Sequence, residues 1–270
     1  MLGDALPVGS YVLHSRFRDV VNYRKGTDTL VFLTTRRELI AANGLVVSGG
    51  SLPEADKLLI SEERITIGET PFDRSGIELF DSALPLDLLC ITRFDQSIRM
   101  LPDTWGRLFS PQSMLYVLVP ERMDALATQF DRLVAGQALR AADRLLEGRV
   151  EEGLLLLRGL GRGLTPAGDD FVAGLLYALN IHEHWSGKDH SPQKEQVYAV
   201  AKGGNLLVNS GLWQAKSGRC SHLFKNFVLS PSFNGFGEAE LRALLSHGAT
   251  SGADLLAGFI FGIQNRTIIW

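Results

Sequence analysis

The chain has 270 residues, of which 45% are hydrophobic, 21% charged and 9% aromatic. This composition excludes a mainly disordered or collagenous polymer and can bury a core without disulfide or metal staples. The formal charge of −3 gives no global positive field for a phosphate backbone, so nucleic acid is not an expected partner. The two cysteines, Cys90 and Cys220, fall outside any CxxC or Cys/His spacing, so no zinc framework is indicated.

From Val8 to Thr92 the sequence alternates short β-rich runs with turn-forming breaks. The runs are Tyr11-Val12-Leu13, Thr29 to Leu33, Gly44 to Val47, Arg64 to Ile67 and Leu86 to Thr92. Lys25-Gly26-Thr27-Asp28, Gly49-Gly50 and Asp73-Arg74-Ser75-Gly76 separate them. Pro102, Pro111 and Pro120 mark a connector.

After Glu121 the hydrophobic period changes from two to about 3.6, through Met123, Leu126, Phe130, Leu133 and Leu139. Further helices are expected over 151–160, 169–184, one or two within 194–229, and then 238–247 and 253–263. The fold class is therefore α+β: a β-rich N-terminal sheet or small barrel over 1–100, a connector over 101–122, and an all-α domain with buried central helices over 123–270.

Glycine is abundant, at 28 residues, with seven in 148–174 and four in 248–262. These stretches hold two echoing segments, Gly161-Arg162-Gly163-Leu164-Thr165-Pro166-Ala167-Gly168-Asp169-Asp170 and Gly248-Ala249-Thr250-Ser251-Gly252-Ala253-Asp254. Alignment pairs Asp170 with Asp254, Gly168 with Gly252 and Gly174 with Gly258. Each segment leads into an almost wholly apolar helix, and Gly174/Ala178 and Gly258/Gly262 would let the two helices pack closely.

A loop entering a helix N-terminus presents unpaired N–H groups and positive potential, which suits a small carboxylate or phosphate. A carboxylate beside that anion needs a cation such as Mg²⁺, or a ligand with both an anionic end and an amide or amine end. Asp170 and Asp254 are candidate catalytic groups, with His247 beside the second loop as a candidate acid or base. Gly163, Thr165, Pro166, Gly168, Asp169, Thr250, Ser251 and Gly252 are the candidate ligand-binding residues. Pro166 fits position i+1, and Gly168 position i+3, of a type I turn.

A purely structural reading competes, in which Asp169 is an N-cap and Ser251-Gly252-Ala253-Asp254 a capping box. Elsewhere, His182-Glu183-His184 lacks the i, i+4 spacing for one metal ion, and no other metal site is expected. Cys90 reads as core, Cys220 as largely inert. Gly159-x-Gly161-x-Gly163 lacks the preceding strand of a dinucleotide fingerprint. Gly203-Gly204-Asn205, with Asn209, Ser210 and Ser217, could line a pocket or a surface helix. No run of 18 apolar residues occurs, so no membrane span is expected, and without a basic, apolar leader the expected location is the cytosol.

The run Gly163-Leu164-Thr165-Pro166-Ala167-Gly168-Asp169-Asp170 with Gly174, followed by Thr250-Ser251-Gly252-Ala253-Asp254 with Gly258, resembles the signature of a bacterial family that includes the AllH-type subunit of oxamate carbamoyltransferase. The resemblance covers roughly 155–265 and is faint before that. It implies carbamoyl transfer between carbamoyl phosphate and oxamate, in allantoin-type nitrogen catabolism, beside partner subunits. A non-catalytic sensing or assembly subunit is the alternative. Where the family pattern has a histidine in the second loop this chain has Ala249, with His247 preceding Gly248.

Overall fold

The computed structural model describes residues 1–230 and 237–269. They form two compact units, Met1–Leu84 with Arg219–Lys225, and Pro85–Gly218 with 226–269.

The first unit is a curled nine-stranded sheet. Its strands are β1 (Leu2–Gly3), β2 (Gly9–Arg16), β3 (Val20–Lys25), β4 (Thr29–Thr34), β5 (Gly44–Val46), β6 (Lys57–Ile60), β7 (Arg64–Ile67), β8 (Thr70–Asp73) and β9 (Leu79–Phe80), in the order β8-β7-β6-β2-β3-β4-β5-β1-β9. Neighbours run antiparallel except β4–β5 and β1–β9. An irregularity between Leu13 and Ser15 shifts the β2–β3 register, and such bulges increase local twist. Tyr11, Val21, Tyr23, Val31, Leu33, Leu58 and Ile60 pack on the buried face, where period-2 alternation places them.

Arg219–Lys225, distant in sequence, completes this unit. The Cys220 N–H donates to the Ser82 carbonyl at 2.7 Å and the His222 N–H to Ile40 at 2.9 Å, while Arg219 pairs with Asp4 at 2.8 Å. Burial pushes the Cys220 thiol up to about 12, which keeps it un-ionised and unreactive at neutral pH.

In the second unit, the stretch read as a strand over Leu86–Thr92 is instead a 3-10 turn, Leu86–Leu88, followed by helix α1 (Ile91–Trp105). A short apolar run alone does not distinguish strand from helix, and Pro85 ahead of it starts a turn. Cys90 is exposed at the cap of α1, so it is not a core residue. A 3-10 turn at Met114–Val117 lies further on.

The remaining helices are α2 (Gln129–Leu146), α3 (Val150–Leu157), α4 (Ala167–Ser186), α5 (Ser191–Ala201), α6 (Leu206–Lys216), α7 (His222–Leu229), α8 (Glu238–Leu245) and α9 (Ser251–Ile269). Three helices, not one or two, occupy 191–229, because Gly203-Gly204 and Gly218 interrupt the helical period. Thr128 caps α2 by accepting the Asp131 N–H, and Gly187, at φ +65°, ends α4 in the left-handed conformation that glycine adopts without strain.

Helices α4 and α9 form the centre of this unit, and both α4 from Phe171 to Ile181 and α9 from Leu256 to Ile263 are buried. Their contact is reciprocal. A Cβ on Gly174 would collide with the Leu255 carbonyl, and one on Gly258 with the Phe171 carbonyl. In the sequence alignment Phe171 is the counterpart of Leu255, so each helix makes the same backbone contact with the other. One step further on, Gly262 faces Ala178, its own counterpart.

Candidate functional site

Crossing at paired glycines brings the first turns of α4 and α9 together. The Thr165 and Ser251 hydroxyls lie 2.9 Å apart, although the residues are 86 positions apart in sequence. Asp170 and Asp254, four residues before the glycine crossing on their respective helices, sit close enough that the charge of Asp254 raises Asp170.

Asp254 has no exposed surface. Its Oδ1 accepts the backbone N–H of Met114 at 2.7 Å, while Oδ2 is buried without a hydrogen-bond partner. Burial pushes this carboxyl up to about 7, against the pull of the Thr250 hydroxyl and the Met114 N–H. Asp170 is half-buried, and its Oδ2 is likewise buried and unpartnered. Burial first, then the Asp254 charge, hold it well above the ordinary carboxylate range, while the hydroxyls of Ser251 and Thr165 pull it back. Two acids in one low-dielectric site resist double ionisation. Both carboxyls are therefore held toward the protonated form.

The other residues divide by what their backbones do. Pro166 is the N-cap of α4 with ψ 144°, not the second residue of a type I turn, which needs ψ near −30° there; its carbonyl takes the Asp169 and Asp170 N–H groups at 3.0 and 3.2 Å. Asp169 lies inside the first turn, and its Oδ1 accepts the Gly159 N–H at 2.9 Å, so it ties the preceding loop and is not the N-cap. Gly168 donates to Leu160 at 2.8 Å, and Gly252 to the His247 carbonyl at 3.1 Å. Both are pressed against carbonyls of the preceding helix, Leu157 and Leu244. Their N–H groups are thus satisfied within the chain, leaving those of Ala167, Ser251 and Ala253 without an acceptor among the described residues.

Ser251 does not form a capping box with Asp254, because its hydroxyl meets Thr165 and the carboxylate turns to Met114. Gly163 is exposed at φ +92°, and Thr250 is half-buried at the start of α9. His247 is exposed, and its carbonyl receives the Gly252 N–H. Met114 is the contributor that the sequence did not reveal, since it acts through a backbone N–H that any residue carries. No group of three or more His, Cys, Asp or Glu is placed to hold a metal ion, and no helix is long and apolar enough to cross a membrane, among the described residues.

The model of the family described as oxamate carbamoyltransferase subunit AllH matches residues 157–263. That stretch contains both loops, all of α4 and most of α9, so the likeness to that family lies in the part of the chain that carries the candidate site. No curated protein and no solved structure matches the chain.

Proposed function

We propose that this chain binds a small anion that also carries an amide or amine group, at the joined first turns of α4 and α9, as a subunit of a carbamoyltransferase system acting with partner subunits. The carrying observation is the pair of buried, unpartnered oxygens, Asp170 Oδ2 and Asp254 Oδ2. A buried polar atom without a partner costs free energy, and a ligand that reaches the half-buried Asp170 supplies what the chain omits there, while Asp254, which has no exposed surface, acts from behind through its charge. The protonated Asp170 carboxyl donates to the ligand's anionic oxygen. Its other oxygen accepts the ligand's N–H, and the Thr165, Thr250 and Ser251 hydroxyls serve either need. Oxamate and carbamoyl phosphate, which the family name brings into consideration, both combine an anionic end with an amide-like nitrogen.

Thermal unfolding with oxamate or carbamoyl phosphate, with and without Mg²⁺, tests this reading. A ligand at a hundredfold excess over its Kd stabilises by about 2.7 kcal/mol, which for a chain of this size raises Tm by about 5 °C or more. Asp170→Asn should diminish the response. Because the protonated pair is the form that accepts an anion, oxamate binding should strengthen as pH falls through about 7. Absence of any shift in all four conditions would refute the proposal. Turnover by the purified chain alone would assign catalysis to it, and turnover only after adding partner subunits would favour the assembly role.

A further inference from the structure

A cleft of about 440 Å³ opens beside the α4 first turn, lined by Arg158, Gly159, Asp169, Gly203, Gly204 and Asn205 among others. It does not include Asp170, Asp254, Thr165 or Ser251. Asp169 and Asp170 are neighbours in sequence, but successive helical residues point about 100° apart. Asp170 therefore addresses α9 while Asp169 borders this cleft.

Three observations mark the cleft as built for a ligand. Asp169 is 5% exposed; its Oδ1 accepts the Gly159 N–H, and its other oxygen, which is not among the enclosed atoms, has no donor among the described residues. Arg158 is exposed and donates to the Val200 carbonyl at 3.3 Å, yet it makes no ion pair among the described residues, so its charge is uncompensated by contact. Gly203 and Gly204 are required neither by backbone conformation, since neither has positive φ, nor by packing, since a Cβ on either would meet nothing within 4 Å. Glycine there keeps a wall of the cleft bare. The wall is also fixed: Asn209 holds Gly203 through both its N–H (2.9 Å) and its carbonyl (2.8 Å). Asn205 caps α6 and reaches the Leu164 carbonyl at 2.6 Å.

We infer that this cleft is a second binding site, for a small zwitterion of the α-amino-acid type, whose carboxylate pairs with Arg158 and whose ammonium group meets the free oxygen of Asp169 beside the Gly203-Gly204 wall. A simple anion would oppose Asp169 and a simple cation would oppose Arg158; a zwitterion satisfies both. Burial raises the Asp169 carboxyl, an effect the Gly159 N–H and the Arg158 charge oppose, and an incoming ammonium group adds to that opposition. Pockets that enclose small ligands begin at about 300 Å³, so the volume is sufficient.

The test is thermal unfolding and calorimetric titration of the full chain with L-alanine, L-serine and L-asparagine as separate probes, beside acetate and methylammonium. At least one zwitterion should bind more tightly than either half-ligand at equal concentration. Arg158→Gln, which gives up an exposed hydrogen bond to Val200, and Gly204→Leu, which fills open space, should each weaken that binding about tenfold or more and leave the ligand-free protein folded. Asp170→Asn should leave it intact, whereas Gly204→Leu should leave any oxamate response intact, so the two sites fail separately. Absence of a response to all three zwitterions, undiminished binding in both Arg158→Gln and Gly204→Leu, or loss of zwitterion binding in Asp170→Asn would overturn the inference.

Discussion

The first turns of α4 and α9 descend from the same sequence pattern and make the same backbone contacts, yet they are chemically unequal. Each has a glycine pressed on a preceding carbonyl, at 168 and 252, and a glycine at the crossing, at 174 and 258. Asp254, however, is anchored by the Met114 N–H and sealed from solvent, whereas Asp170 is half-buried with hydroxyls around it. Where α4 has Asp169 facing a cleft, α9 has the buried Ala253. The shared glycines thus build the crossing, and the surroundings of the two aspartates, together with Asp169 against Ala253, make the two turns unequal.

The glycine crossing offers the severest way to break this comparison. Gly174→Val and Gly258→Val should each cost about 3 kcal/mol or more in chemical denaturation, because the obstacle is backbone on the facing helix and no rotamer relieves it. A near-neutral result for either would show the crossing to be one-sided.

Asp254→Asn sharpens the inequality of the two acids. With a folded pKa near 7 against an unfolded value of about 3.9, the native state holds the proton more tightly. The contribution of Asp254 to stability is therefore full below the unfolded pKa and lost as pH rises through about 7. Urea titrations between about pH 5 and 8 should show the wild type losing stability relative to Asp254→Asn, each displaced pKa unit being worth about 1.4 kcal/mol. An unchanged pH profile would place the titration elsewhere.

The smallest effect is expected at the hydroxyl pair. Thr165→Val and Ser251→Ala should each cost about 1 kcal/mol, and the double variant should cost less than their sum, since both remove one contact. Additive losses would show that the two turns do not meet through these hydroxyls.

Much of the helical half was legible because periodicity, proline and glycine report local backbone preference. The echo of Gly168-Asp169-Asp170 in Gly252-Ala253-Asp254 is a property of the sequence itself. Strands β1, β3, β6, β8 and β9 carry no such local mark, since they are two residues long or mix polar with apolar residues, and their pairing is non-local. Leu86–Cys90 misled for a related reason: apolarity alone does not distinguish a buried strand from a turn entering a helix.

The sequence by itself determined that two glycine-marked turns lead into two apolar helices, because helix period and backbone freedom are properties of neighbouring residues. Only the tertiary structure decided that Thr165 meets Ser251, that Met114 anchors Asp254, and that Asp169 borders a cleft while Asp170 lies beside Asp254. Those outcomes depend on which carbonyl lies behind a glycine and which N–H lies within reach of a carboxylate, and such distances are set by chain crossing, to which local sequence carries no signal.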